Sequence, residues 1–377
     1  VKFNDLHLKL KDQMRIVFPN YKDSFYANLS DNIYFSQAWY KSKIYKNNIY
    51  CTGISTNTYE AGIKAYAECY ERKSCEMPSF DYKGKYDESL GCVNPEKLFP
   101  LTQEQRNVEK LSSFDTKKEY KWKKGYDTKS NEILLPIDYI YYPLRASKNR
   151  LYNSSSNGVA THTDVEFAKQ NAFLELIERD AFIRSWVNCI KLKQLPDETL
   201  PIDIKESKET ALSLGCNLSF YVLPQNDVPT IMSIITTSKK PFFVMGCSSA
   251  VSYTAAAEKA STEAIVQLLS KSITKVAKQE ISDGAKYPVS VDQHGMYYAN
   301  FKKNANTLKK FFTTEKAEIS PCINLNFENL YTKYECMFFE ISGSEANNIN
   351  PKLTTYRVVS PKLIPLTFGQ IGVHHLH

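Results

Sequence analysis

Apolar positions along this chain follow two periods. Short apolar or alternating runs predict strands over Asn48 to Ile54, Ile133 to Tyr142 (despite Pro136), Leu218 to Leu223, Thr230 to Thr236 and Phe242 to Met245. Two more are expected at Glu335 to Ile341 and Thr355 to Val359. Helical spacing predicts helices over Thr58 to Ser74, Asp164 to Cys189 and Thr254 to Lys271. Thr163 and Glu166 form a capping-box pattern, which sets the start of the second helix. Residues 1–45 show no firm period, and 76–130 is polar, Lys-rich and broken by Pro78, Gly84, Gly91, Pro95 and Pro100. The pattern predicts an α/β fold, with mixed sheets and packed helices.

The three helices share one frame. Ala61, Ala168 and Ala256 stand seven positions before Glu68, Glu175 and Glu263; Ala65, Ala172 and Ala260 stand three before, and Lys64, Asn171 and Lys259 four before. Each helix follows a strand and a loop of small residues: Gly53 to Thr58, Ser154 to Thr163, and Gly246 to Ser252. Three copies at irregular intervals indicate a repeated strand–loop–helix unit rather than a solenoid. The 377 residues then divide into an N-terminal segment (1–45) and one large repeated domain (46–377) with a loop-rich insertion at 76–130.

The spacing has chemical meaning. Glu68 and Glu71 share a helix face, as do Asn171, Glu175 and Glu178, and Lys259, Glu263 and Gln267. The alanines beside each glutamate allow close backbone approach. The second helix is otherwise strongly apolar, with Phe173, Leu174, Ile177 and Trp186, and carboxylates on a buried helix need a counter-charge or a metal. Arg72, Arg179, Lys64 and Lys259 offset part of that charge. One Glu-Arg neighbour pair reads most simply as a surface ion pair; the threefold frame does not. Five glutamates (68, 71, 175, 178 and 263) without histidine or cysteine suit a hard cation, Mg²⁺, which also binds phosphate oxygens. The small-residue loops suit phosphate in turn. The residues therefore predict a Mg²⁺–nucleotide site built from three helices.

Composition narrows the alternatives. Hydrophobic residues make up 42% and charged residues 24%, an ordinary globular balance that excludes wholesale disorder. No apolar run is long enough to span a membrane, and the first residues lack a signal core, so a cytoplasmic location is expected. Nine cysteines in no zinc or disulfide spacing read as reduced thiols. The net charge of +7 is dispersed, with no basic stripe interleaved with aromatics, so nucleic acid is not an expected partner. No Walker, kinase or Rossmann motif is present. Ser156 and His162 lack an acid partner for a triad, and His374, His375 and His377 are a terminal cluster.

Three blocks carry a family resemblance: Ala67-Glu68-Cys69-Tyr70-Glu71-Arg72; Ser155-Ser156-Asn157-Gly158-Val159-Ala160 leading to Glu175-Leu176-Ile177-Glu178-Arg179-Asp180; and Lys259-Ala260-Ser261-Thr262-Glu263. With the closing Val359-Ser360-Pro361 to Gly369 stretch, the chain resembles the YcaO family of ATP-dependent peptide-backbone-modifying enzymes over about residues 45–370. It looks most like the azoline-forming cyclodehydratases that mature ribosomally made peptides, bacteriocins among them.

The resemblance implies a YcaO-type ATP-binding fold with ATP and Mg²⁺ as cofactors. Glu68, Glu71, Glu175, Glu178 and Glu263 would be Mg²⁺ ligands lying against the ATP phosphates, and Ser156, Asn171 and Lys259 would touch the nucleotide. Family members often carry arginine where Lys259 stands, so bidentate phosphate contact is weakened there. In such enzymes a Cys, Ser or Thr side chain attacks the preceding carbonyl, and ATP phosphorylates the oxygen, which leaves as phosphate. No protein nucleophile is required. Thioamide formation and a non-catalytic nucleotide-binding docking subunit are the alternatives. The implied partners are a precursor peptide and, because residues 1–45 are too short for a leader-binding domain, a separate leader-binding protein. Family members often dimerise. Azoline-forming members commonly end in a proline-rich tail, which this chain lacks after Ile371.

Overall fold

The structure is a computed structural model and describes residues 22–30, 33–55, 57–144, 149–213, 215–224, 227–273, 291–320, 324–343 and 352–365. In chain order it begins with β1 (Lys22–Ser30), β2 (Ile33–Lys41), β3 (Asn48–Ser55), α1 (Thr58–Cys75) and β4 (Tyr82–Gly84). Then come α2 (Pro95–Leu98), α3 (Gln103–Glu109), β5 (Tyr120–Tyr126), β6 (Glu132–Pro136), β7 (Val159–His162) and α4 (Val165–Val187). They are followed by β8 (Leu192–Gln194), α5 (Ile202–Ser213), β9 (Cys216–Val222), β10 (Thr230–Thr237), β11 (Phe243–Ser249) and α6 (Tyr253–Ile273). The chain closes with α7 (Val291–Asn300), α8 (Lys302–Leu308), β12 (Phe312–Lys316), α9 (Phe327–Lys333), β13 (Met337–Glu340) and β14 (Thr354–Val359).

These elements form two compact units: Val1–Phe173 with Tyr331–Lys362, and Leu174–Leu330 with Leu363–His377. The first holds two sheets. One is antiparallel, in the order β1-β2-β3, and its inward positions Ala38, Tyr40 and Cys51 meet Ala65, Tyr66 and Cys69 of α1. The other runs β4-β5-β13-β14-β7, with β6 on β5, and its core includes Leu135, Tyr139, Leu151, Val159 and Phe339. The second unit holds the sheet β11-β10-β9-β8-β12. Its central strand β10 is buried on both faces: Ile231 and Ile235 lie in the core that α6 covers, and Met232 and Ile234 in the core containing Ala181 of α4. A two-sided core explains why β10 reads as a continuous apolar run.

The two units refine several expectations. Residues 22–30 and 33–41, without a firm period in the sequence, are β1 and β2. The segment 76–130 contributes β4 and β5 to a sheet, with Trp122 fully buried and its indole N–H donating to Gly84 O at 2.9 Å. The strand expected to reach Tyr142 stops at Pro136 and passes into a 3₁₀ turn, Ile137–Tyr139. The expected Thr163 capping box is replaced by Asp164: its Oδ1 accepts from the N–H groups of Glu166 and Phe167 at 2.8 and 3.0 Å. A carboxylate one position nearer the first turn also meets the positive end of the helix dipole. No described helix is long and apolar enough to cross a membrane.

Candidate functional site

The repeated frame corresponds to a repeated way of packing a helix on a strand. The alanines seven and three positions before each glutamate (61, 65, 168, 172, 256 and 260) are all fully buried. Strand glycines complete the approach. A Cβ at Gly53 would lie 2.6 Å from Ala65 N and closer still to Ala61 O; one at Gly246 would lie 2.6 Å from Ala264 N and closer still to Ala260 O. These obstructing atoms are backbone, so no side-chain rotation relieves them.

Close approach brings Glu68 and Glu263 to their strands. Thr52 N–H donates to Glu68 Oε2 at 2.6 Å, and Cys247 N–H donates to Glu263 Oε2 at 2.9 Å. Both partners are sixteen residues apart, so the two units repeat in contact as well as in sequence. Ser249, two residues along β11, donates its N–H to Glu178. β3 and β11 are the end strands of their sheets, so these amides have no neighbouring strand to bond. The carboxylates satisfy them instead.

In the second unit Glu175, Glu178 and Glu263 gather around Arg179. Arg179 Nη2 lies 3.3 Å from Glu175 Oε1, and Nη1 lies 3.0 Å from Glu178 Oε1. Burial pushes the Glu178 carboxyl up to about 8; Glu263 and Glu175 add to the shift, while Arg179 and the Ser249 amide oppose it. Burial raises Glu263 as well, with Arg179 and the Cys247 amide counteracting. Burial opposes the charge on Arg179, but the surrounding carboxylates outweigh it, so the guanidinium is held even more firmly protonated than usual. Cys247 stays a neutral thiol, raised by burial and by Glu178 and Glu263. Next along α4, the buried Asp180 accepts from Ile364 N–H at 2.8 Å and takes both oxygens to Arg184 Nε at 2.8 Å. It ties the closing segment to the helix that carries the glutamates.

The first unit holds Glu68 and Glu71 on α1. Glu68 Oε1 pairs with Arg72 Nη2 at 3.4 Å, and Glu71 is half-buried. Asn171 is half-buried on the first-unit part of α4, Ser156 lies in the turn before β7, and Lys259 is exposed on α6. His162 is accounted for otherwise: its Nδ1 accepts from Asp164 N–H at 2.9 Å and its ring rests on Phe167. His374, His375, His377 and the expected C-terminal stretch beyond residue 365 lie outside the described residues. Arg179, Cys247 and Asp180 adjoin these glutamates, yet only the arginine stood out in sequence, as a neighbour offsetting their charge.

A divalent cation suits these residues on one direct observation. Glu178 Oε1 is buried and makes no hydrogen bond, its contact with Arg179 having ion-pair distance without hydrogen-bond angle. That oxygen has an ion-pair neighbour but no hydrogen bond, so its remaining acceptor capacity suits a further cation. Among the described residues no group of three or more His, Cys, Asp or Glu side chains is placed to hold a metal ion by itself. Mg²⁺ characteristically takes one or two carboxylates and completes its octahedron with water and phosphate.

No curated protein matches the chain. Solved structures do resemble it. A heterocyclase in complex with substrate and cofactor superposes with TM-score 0.77 at 12% identity, over 98% of this chain and 54% of that one, so the chain spans about half of the heterocyclase's length. YcaO from Methanopyrus kandleri bound with AMPPCP and Mg²⁺ gives TM-score 0.72 at 15% identity, over 100% of this chain and 95% of that one. The E. coli microcin synthetase McbBCD complex gives 0.63 at 14% identity, over 90% of this chain and 88% of that one. At these identities the likeness establishes the fold. A family model matches residues 52–342, the span that holds every glutamate discussed above. The chain belongs to the YcaO cyclodehydratase family, described as ATP- and Mg²⁺-binding.

Proposed function

We propose that this chain is the ATP- and Mg²⁺-dependent cyclodehydratase subunit of a peptide-modifying complex, converting Cys, Ser or Thr of a ribosomal precursor to thiazoline or oxazoline. The observation that carries the reading is the gathering of Glu175, Glu178 and Glu263 around Arg179, with one oxygen of the buried Glu178 lacking a hydrogen bond, inside a family-matched span. Glu68, Glu71, Glu175, Glu178 and Glu263 would hold Mg²⁺, and Ser156, Asn171 and Lys259 would meet the nucleotide. Bound there, Mg²⁺ neutralises phosphate charge and favours phosphoryl transfer.

The chain's own groups do the rest by positioning. The Cys247 and Ser249 amides hold Glu263 and Glu178 in place, so the carboxylates need little reorganisation when the ligand arrives. Arg179 balances their charge until then. In the reaction the side-chain thiol or hydroxyl adds to the preceding carbonyl carbon. The former carbonyl oxygen takes the γ-phosphoryl and leaves as phosphate as the C=N bond forms. ATP thus becomes ADP and phosphate, and the peptide loses one water per ring. The heterocyclase with substrate and the microcin synthetase complex with bound pro-peptide support a peptide substrate and separate partner proteins here; a homodimer is proposed from the family resemblance alone.

The test is incubation with ATP, Mg²⁺, the partner protein and a Cys-rich precursor. Mass spectrometry should show loss of one water per heterocycle, matched by ADP release. Exchange of oxygen for sulfur in the presence of sulfide would point to thioamidation instead. Glu175→Gln should abolish ATP consumption; surviving turnover would refute the assigned Mg²⁺ site.

A further inference from the structure

At one end of the second unit's sheet lies a cavity of about 320 Å³, walled by the start of β9, the end of β10 and helix α8. Cys216 and Asn217 stand opposite Thr237 and Thr236 in the β9–β10 ladder, and all four line it. Leu212, 68% exposed, Phe242 and the buried Ala305 add apolar surface. Ser249, whose amide meets Glu178, is seven residues along the chain from Phe242, about 23 Å in an extended strand, so the cavity is separate from the glutamates. Charge here is one-sided. The segments 212–217, 236–242 and 302–310 hold six lysines (239, 240, 302, 303, 309 and 310) and no aspartate or glutamate. Lys302 and Lys309 line the cavity itself and make no ion pair among the described residues. The side chains of Asn306, Asn217 and Thr236, which also line it, make no hydrogen bond among the described residues either. Lys302, Asn306 and Lys309 stand at i, i+4 and i+7 on α8 and the 3₁₀ turn Lys309–Phe311 that continues it, so they share one face. Seven positions separate the bases of the two lysines by about 10–12 Å.

We propose that this groove docks an extended acidic segment of a partner polypeptide, with acidic, apolar and acidic side chains at alternate positions. Alternate residues of an extended chain share a face, and residues four apart are separated by about 13 Å. Two carboxylates at that separation reach Lys302 and Lys309, whose flexible stems take up the difference. The apolar side chain between them covers Leu212, Phe242 and Ala305, and the unengaged Asn217, Asn306 and Thr236 side chains meet the segment's backbone groups. A helix, about 10–12 Å across with its side chains, is too wide for a cavity of 320 Å³, whose equal-sided width is about 7 Å. One compact anion would have to draw two ammonium groups together against their repulsion. None of the lining residues belongs to the glutamate set, and docking here does not depend on nucleotide binding.

The test uses the full chain and a fluorescein-labelled peptide containing Glu-Ser-Leu-Ser-Glu, with binding read by anisotropy. The peptide should bind at about 50 mM salt and weaken several-fold at about 300 mM, where exposed charges are screened. Replacing both of its glutamates by glutamine should weaken binding about tenfold, and the paired substitution Lys302→Glu and Lys309→Glu should do the same, since each surface ion pair counts for up to about fivefold. The urea midpoint of that variant should match wild type, because both lysines are exposed. A second measurement needs no variant: bound peptide should slow alkylation of Cys216 by iodoacetamide, read by mass spectrometry, and leave the exposed Cys189 unaffected. Failure of the acidic peptide to bind, equal binding of the glutamine peptide, binding unchanged by the lysine substitutions, or unchanged Cys216 alkylation would each overturn the proposal. Displacement of the peptide by inorganic phosphate at equal concentration would make this a small-anion site, and self-association abolished by the lysine substitutions would make a second copy the occupant; either overturns the assignment to an acidic segment.

Discussion

Gly246→Ala tests the link between close strand–helix packing and the site. Gly246 has no left-handed φ, so it serves space rather than backbone freedom. An added methyl would lie 2.6 Å from Ala264 N, 2.8 Å from Glu263 Cβ and closer still to Ala260 O, where ordinary contact begins near 3.4 Å. Relief requires α6 and β11 to separate by about 1 Å. Overpacking of this kind costs about 1–3 kcal/mol, against a gain of at most about 1 kcal/mol from stiffening the unfolded chain. The net expectation is a loss of roughly 2 kcal/mol in urea unfolding. The same separation would stretch the 2.9 Å bond from Cys247 N–H to Glu263 beyond hydrogen-bond range, so Mg²⁺–ATP affinity should fall together with stability. Ala260→Gly in the same chain should not rescue either loss, because it removes none of the obstructing atoms: Ala260 O, Ala264 N and Glu263 Cβ. A Gly246→Ala chain within about 0.5 kcal/mol of wild type, with ATP affinity unchanged, would refute the argument.

Glu178, at about 8 in the folded chain against an ordinary 4.5, and the raised Glu263 make nucleotide-free stability pH-dependent. Between those values the folded chain holds a proton that the unfolded chain has released, so stability should fall as pH rises through the window. Urea midpoints at pH 5.5 and 8.5 measure it, and Glu178→Gln should flatten the slope; an unchanged slope in the variant would assign the titration elsewhere. Asp180→Asn weakens the two-oxygen contact with Arg184 and the bond to Ile364 N–H, and should cost about 1–3 kcal/mol in urea unfolding, because a buried charged partner is lost. A loss below about 0.5 kcal/mol would remove Asp180 as the anchor of the closing segment.

The elements legible in the sequence were those whose packing demands are strict. Close approach admits only small residues at Ala61, Ala65, Ala256 and Ala260, so the frame survives as spelling. By contrast β2 alternates inward Ser36, Ala38 and Tyr40 with half-buried Phe35, Gln37 and Trp39, which blurs any polar–apolar period. β5 hides in a lysine run because Lys121 and Lys124 face solvent while Trp122 fills the core. The glutamates were legible as a pattern, but the basic groove was not. Lys302 and Lys309 read as solvated lysines, and only the fold sets them against the start of β9 and the end of β10. Cys247 was hidden for a related reason, since its contribution is a backbone amide.

The position of the repeated strands explains why one residue type recurs in the frame. β3, β7 and β11 each end the strand order of their sheets, and an end strand leaves alternate amides without a partner. At β3 and β11 a glutamate on the following helix meets that demand with one oxygen, through Thr52 to Glu68 and Cys247 to Glu263. A carboxylate has a second oxygen. An asparagine is too short to span the same gap, and a glutamine would satisfy the amide without bringing charge. Glutamate alone closes the sheet edge and still has an anionic oxygen for a cation, so in the proposed Mg²⁺–nucleotide site the ligands would be the same carboxylates that cap these strands.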